Sequence, residues 1–94
     1  MDEILLSKIR LAIVAELLAS QWASFSELQR SIGTTNGNLS AHLAKLVEQK
    51  YVDEVKTFVE RRPLSRYHLT KLGRERVLEH VRSLQSLLEK EPQA

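Results

Sequence analysis

The stretch Gly33-Thr34-Thr35-Asn36-Gly37-Asn38-Leu39-Ser40-Ala41-His42-Leu43-Ala44-Lys45-Leu46 decides how this chain is read. Leu39, Leu43, Leu46 and Val47 recur at helical spacing and make a single apolar stripe. The spacing predicts a helix from about Thr35 to Gln49. Its opposite side centres on Ala41 and Lys45, with Gly37 and Asn38 beside them near the N-terminus. Thr35 and Asn36 lie at the helix end and Ser40 lies on the flank. This outer side is small and polar. A glycine in the first helical turn costs stability relative to alanine, on the order of 1 kcal/mol. Close approach of a partner at Gly37 is one reason to tolerate that cost.

Upstream, a short helix is expected from about Glu27 to Ile32. Ser26 is its expected cap, with Gln29 as the capping-box partner. Leu28 and Ile32 face inward, and Gly33 ends the helix as glycine commonly does. Gln21 to Phe25 reads as a connection. Before it, Asp2 to Ser20 lacks Gly and Pro and reads as one helix. That helix carries two apolar strips, Leu5, Ile9, Ala12 and Ile13 on one side and Ile4, Leu11, Val14 and Leu18 on the other. A surface helix needs only one, so a second copy of the chain is the expected cover for the other.

Downstream the character changes. Tyr51, Val52, Val55, Thr57, Phe58 and Val59 are β-branched or aromatic. Glu60 to Leu64 reads as a loop containing Pro63, longer than a two-residue turn. Arg66 to Thr70 alternates, with Tyr67 and Leu69 on one face and Arg66 and His68 on the other. Two strands joined by a basic tip make a β-hairpin. Thr70 then caps a last helix to about Glu89. Val77, Val81, Leu84 and Leu88 form a narrow seam on it, of the kind used between paired helices.

The whole is 94 residues, which bounds it to one domain. The domain 1–94 divides into a helix-turn-helix at about 26–49, a hairpin at about 51–70 and a pairing helix at about 71–89. The formal net charge is only +2. The excess is local: Lys56, Arg61, Arg62 and Arg66 outnumber Glu60 within residues 56–66, and such a cluster attracts polyanions. Cysteine is absent, which excludes disulfides, thiolate metal sites and cysteine nucleophiles. No nucleophile, base and orienter stand at a recognisable spacing, and Gly33 and Gly37 match no phosphate-binding loop. His42, His68 and His80 fall on three separate elements, and His42, bordering the leucine stripe, reads as a packing residue. The expectation is therefore no catalysis, no cofactor and no metal. No apolar run approaches the length of a membrane span, and Asp2 and Glu3 precede the first apolar stretch, so a cytoplasmic protein is expected.

Phe25-Ser26-Glu27-Leu28, the stretch from Gly33 to Leu46, Gln49-Lys50-Tyr51-Val52, Arg61-Arg62-Pro63 and Tyr67-His68-Leu69-Thr70-Lys71-Leu72-Gly73 together resemble winged helix-turn-helix transcriptional regulators of the MarR/ArsR kind. The likeness runs from about Ser7 to Leu88. It implies a mainly α fold with a β-hairpin, in the order α-α-α-β-β-α, paired through its first and last helices. It implies a double-stranded DNA partner. Thr35, Asn36, Gly37, Asn38, Ser40, Ala41 and Lys45 then face the major groove, where Asn can read adenine. Lys56, Arg61, Arg62 and Arg66 of the wing reach the backbone or minor groove. Ile4, Leu11, Val14, Leu18, Val77, Val81, Leu84 and Leu88 are the expected homodimer contacts. A small-molecule effector is compatible with the resemblance, but no residue cluster points to one. The rival reading is a winged-helix protein-interaction module. It would need an apolar anchor or acidic residues on the outer face of the third helix, and here that face is small and polar, with Glu48 its one acidic residue, toward the C-terminal end.

Overall fold

Serine and aspartate side chains compete for backbone donors and so break or start helices. Both act at the N-terminus of this computed structural model, which describes residues 2–90. The Asp2 carboxylate accepts from the Ile4 N–H at 2.9 Å and starts a 3-10 turn, Glu3–Leu6. Ser7 is extended, and its hydroxyl accepts from the Arg10 N–H at 3.2 Å to start α1, Lys8–Ala19. The single helix expected from Asp2 to Ser20 is thus two elements.

The remaining elements are β1 (Ala23–Ser24), α2 (Phe25–Ile32), α3 (Asn36–Glu48), β2 (Val52–Val59), β3 (Arg62–Leu69) and α4 (Lys71–Glu89). They give the expected α-α-α-β-β-α order with one addition. The connection after α1 holds a two-residue strand, β1, paired antiparallel with β3 through Ala23↔Tyr67 and Ser24↔Arg66. The sheet is therefore three-stranded, in the order β1-β3-β2. Two residues are too few to show a period, which is why sequence pattern does not reveal β1.

The two apolar strips of α1 have a different cover from the one expected. The helix touches α2, α3, β3 and α4, and so runs through the middle of the protomer. Leu5, Ile13 and Val14 are all fully buried. Ile4, Leu11 and Leu18 are partly buried against the same core. Val14 is therefore not a pairing residue. Val77 is likewise buried against the core, at 2% exposed, and leaves the expected seam. Val81, Leu84 and Leu88 stay exposed on α4, and Leu87 joins them.

The cap of α2 is Ser24 rather than Ser26. The Ser24 hydroxyl accepts from the Glu27 N–H at 3.1 Å, and the Glu27 carboxylate accepts from the Ser24 N–H at 3.0 Å. These hydrogen bonds hold the Glu27 carboxyl below the usual glutamate range. Gly33, at φ 76°, ends α2, and its N–H reaches the Gln29 carbonyl at 2.8 Å. Thr35 caps α3.

The hairpin is tighter than expected. Val59 pairs with Arg62, so Glu60 and Arg61 alone make the turn. Both have positive φ, 52° and 65°, the requirement of a two-residue turn that matches strand twist. Glycine or asparagine usually fills such positions, which is why the sequence reads as a longer loop. Pro63 lies in β3 opposite Phe58, beyond the reach of β1, where a missing N–H is tolerated. Thr70 caps α4 as expected, accepting from the Gly73 N–H at 2.9 Å.

Ser24→Ala is expected to lower the unfolding free energy by about 1 kcal/mol, and Ser26→Ala by less than about 0.5 kcal/mol. Urea denaturation of the two variants measures both, and the reverse order would return the cap to Ser26.

Candidate nucleic-acid interface

The amphipathic pattern of α3 sets its orientation. Leu39, Leu43 and Leu46 are at most 2% exposed. Thr35, Asn36, Gly37, Asn38, Ser40 and Ala41 are exposed, and Lys45 is half-buried. The small, polar ridge read from the sequence thus faces solvent. The Thr35 hydroxyl accepts from the Asn38 N–H at 3.1 Å. The N–H groups of Asn36 and Gly37 have no intrahelical partner, as at any helix start. They form a donor-rich end suited to phosphate. The Asn38 amide also donates to the Thr34 hydroxyl at 3.4 Å, which holds it beside the turn. A methyl group at Gly37 would meet nothing within 4 Å. The glycine is therefore not required by the protomer's own packing.

His42 takes the packing role expected of it. It is half-buried, and its Nδ1 lies 3.1 Å from the Arg10 guanidinium. Arg10 also donates to the Ile4 carbonyl at 2.7 Å, tying α3 to the N-terminal segment.

Strand register sorts the hairpin cations. Side chains alternate across a strand and directly opposed residues share a face. Val52, Glu54, Lys56 and Phe58 therefore share a face with Leu69, Tyr67, Ser65 and Pro63. The burial of Val52, Tyr67 and Leu69 marks this as the core side. Glu54 and Tyr67 line a notch there with Ser40, Ala44 and Glu48, so it is also the α3 side. Lys56 is on the α3 side, Arg61 is in the turn, and Arg62 and Arg66 are on the opposite face. All four are exposed.

Two residues of this region escape sequence reading. Phe58, near the turn on the α3 side, is 73% exposed. Trp22 precedes β1, and its ring lies 4.3 Å from that of His68 and 5.2 Å beneath the Arg66 guanidinium. His68 in turn sits 3.5 Å from the Asp53 carboxylate. This row runs from the residue before β1 across β3 to β2 on the outer face of the sheet and engages Arg66. A lone tryptophan beside a two-residue strand carries no periodic signal. Among the described residues, no group of three or more His, Asp or Glu side chains is placed to hold a metal ion. No described helix is long and apolar enough to cross a membrane.

A helix-turn-helix with its second helix open to solvent, followed at once by a basic two-stranded wing, is the architecture of a winged-helix DNA-binding domain. The chain belongs to that family: the model of the winged helix DNA-binding domain matches residues 9–88. A protein of Methanocaldococcus jannaschii is 32% identical over 68 residues, covering 72% of this chain and 74% of that one. A transcriptional regulator homologue from Pyrococcus horikoshii OT3 superposes with a TM-score of 0.87 at 30% identity, covering 94% of this chain and 87% of that one. A regulator assigned to the MarR family, from Porphyromonas gingivalis W83, shares the fold with a TM-score of 0.73 at 24% identity, over 96% and 86% of the two chains. Family and fold are those of DNA-binding regulators, not of enzymes.

Gly37→Ala is expected to raise the unfolding free energy by about 0.5–1 kcal/mol and to weaken DNA binding. Denaturation and a duplex-binding titration on the same preparation measure the two effects, and undiminished affinity would show that DNA does not approach Gly37 closely.

Proposed function

We propose that this chain is a sequence-specific, double-stranded-DNA-binding transcriptional regulator that acts as a cytoplasmic homodimer and works as one domain over residues 1–94. The observation that carries this reading is the exposed ridge of α3, with free backbone donors at its N-terminal end and a basic wing beside it. The N-terminal half of α3 enters the major groove. Asn36 and Asn38 present amides suited to adenine. Gly37 and Ala41 allow close approach, Ser40 faces the duplex from the flank, and Lys45 meets phosphate. Arg61 and Arg62 extend the wing to the backbone or minor groove, with Lys56 supporting them from the α3 side. Arg66, stacked on Trp22, supports the wing from its outer face.

Pairing rests on the exposed run of α4. Val81, Leu84, Leu87 and Leu88 are 37–68% exposed, within one continuous helix. Because each is already partly covered, full burial by a partner would add about 0.5–2 kcal/mol per side chain. A second copy offers the same run, so a two-fold axis beside α4 covers both at once. Such an axis sets the recognition helices about 34 Å apart, one helical turn of a pseudo-palindromic site.

Replacing Arg61 and Arg62 together by Ala is expected to weaken binding to every duplex. It should also flatten the slope of log affinity against log salt by about 1.8. Titrations at several salt concentrations read this directly, and an unchanged slope would remove the wing from the interface. A wild-type protein with no affinity for duplex DNA at low salt would favour a protein-interaction module instead. Leu84→Glu is expected to yield a folded monomer in sedimentation equilibrium with reduced affinity for a two-half-site operator. A dimer that survives this change would place the axis elsewhere.

A further inference from the structure

The notch between α3 and the wing holds a carboxylate that DNA binding by itself gives no reason to expect. Glu54 lies on the α3 side of β2, beside Ser40 and Ala44 of the exposed ridge. The Tyr67 hydroxyl donates to its Oε2 at 2.6 Å. Tyr67 is buried, at 4% exposed, so its ring is fixed by the core. Burial and the neighbouring carboxylate push its phenol up to about 12, so it remains a donor at neutral pH. Lys56 Nζ stands 4.0 Å from Oε1, but its side chain is 79% exposed and free to turn to other anions. The negative charge of Glu54 is thus anchored from the protein interior, and Lys56, the cation paired with it among the described residues, is loosely held.

Glu48 lines the same notch, at the C-terminal end of α3. A helix end of that kind also carries partial negative charge. The ridge is therefore polarised along its length. Backbone donors and amides stand at the N-terminal end, the Glu48 carboxylate stands at the other, and Glu54 lies alongside the stretch between. Phosphates line both rims of the major groove, and a fixed carboxylate repels any phosphate brought close to it. At about 6 Å in a water-like dielectric the repulsion is worth about threefold in affinity per phosphate, and more where water is displaced. A base edge with an amino group, such as that of cytosine or adenine, is tolerated in the same place because it can donate to the carboxylate.

We propose that Glu54, pinned by Tyr67, is a specificity-determining residue that acts by exclusion. It penalises placements of the duplex that bring a phosphate into the notch between α3 and the wing, and so lowers affinity for non-cognate DNA more than for the cognate site. The proposal rests on the reading of α3 as the recognition helix.

The test compares wild type with Glu54→Gln on two duplexes at one salt concentration. One is the site that the wild-type protein selects from a random library, and the other is a random-sequence duplex. The variant is expected to gain about three- to tenfold on the random duplex and less on the selected site, so that the ratio of the two affinities falls. Tyr67→Phe, which frees the carboxylate without removing it, is expected to lower the ratio in the same direction. Glu75→Gln makes the same charge change on an exposed position of α4 and is expected to leave the ratio unchanged. An unchanged ratio in Glu54→Gln, with wild type still binding DNA in a salt-dependent way, overturns this proposal alone. Wild-type protein without salt-dependent DNA affinity overturns the recognition-helix reading and this proposal with it.

Discussion

The contact of Gly73 with the backbone of Tyr51 holds the parts of this domain in register. A Cβ at residue 73 would lie 2.0 Å from the Tyr51 carbonyl oxygen, so only glycine lets α4 approach that closely. The same carbonyl accepts from the Thr70 N–H at 3.0 Å, and the Thr70 hydroxyl donates to the Lys50 carbonyl at 2.6 Å. The two feet of the wing and the start of α4 are thereby closed on one residue. Lys50, at φ 67°, makes the turn that delivers α3 into this junction. The Tyr51 hydroxyl donates to the Asp2 carboxylate, which draws in the N-terminal segment. Burial of Tyr51 and its bond to that carboxylate push its phenol up to about 12. Ridge, wing and α4 thus share one rigid root, and an angle set at Tyr51 is an angle set for all three.

Much of this was legible in the residues alone, and the reason is periodicity. The leucines of α3 fix both the helix and its outward side. Thr70 announces α4 because a hydroxyl just before an apolar repeat is a usual helix cap. Gly33 announces the end of α2 for the same kind of reason. What stayed hidden lacks a period or depends on distant residues. Ser24 and Ser26 both precede apolar positions, and only the reach of Glu27 to the Ser24 N–H decides between them. Glu60 and Arg61 occupy a turn usually given to residues without a demanding side chain. The register that separates Lys56 from Arg66 follows from that turn and could not be counted until it was known.

The greatest departure lies in α1. Its two apolar strips predict a helix shared between subunits, yet in the protomer residues of both strips pack against the chain's own core. A helix apolar on several sides is as well suited to the centre of a small domain as to an interface. Val14 and Val77 illustrate the point, since each belongs to an apolar row by spacing and to the protomer core by burial. Of the apolar surface left over, Leu78, Val81, Leu84, Leu87 and Leu88 lie beyond Val77 on α4, while Leu6 and Phe58 are exposed elsewhere.

The row formed by Trp22, His68 and Asp53 has a practical consequence. The chain contains a single tryptophan, seated where the outer face of the sheet meets the body of the domain. Its indole packs at a tilt against an imidazole and is capped by a guanidinium, both carried by β3. Any tilt of the hairpin alters the environment of that one chromophore. The molecule thus carries its own optical gauge of wing attitude, with no label required and no competing signal from a second indole.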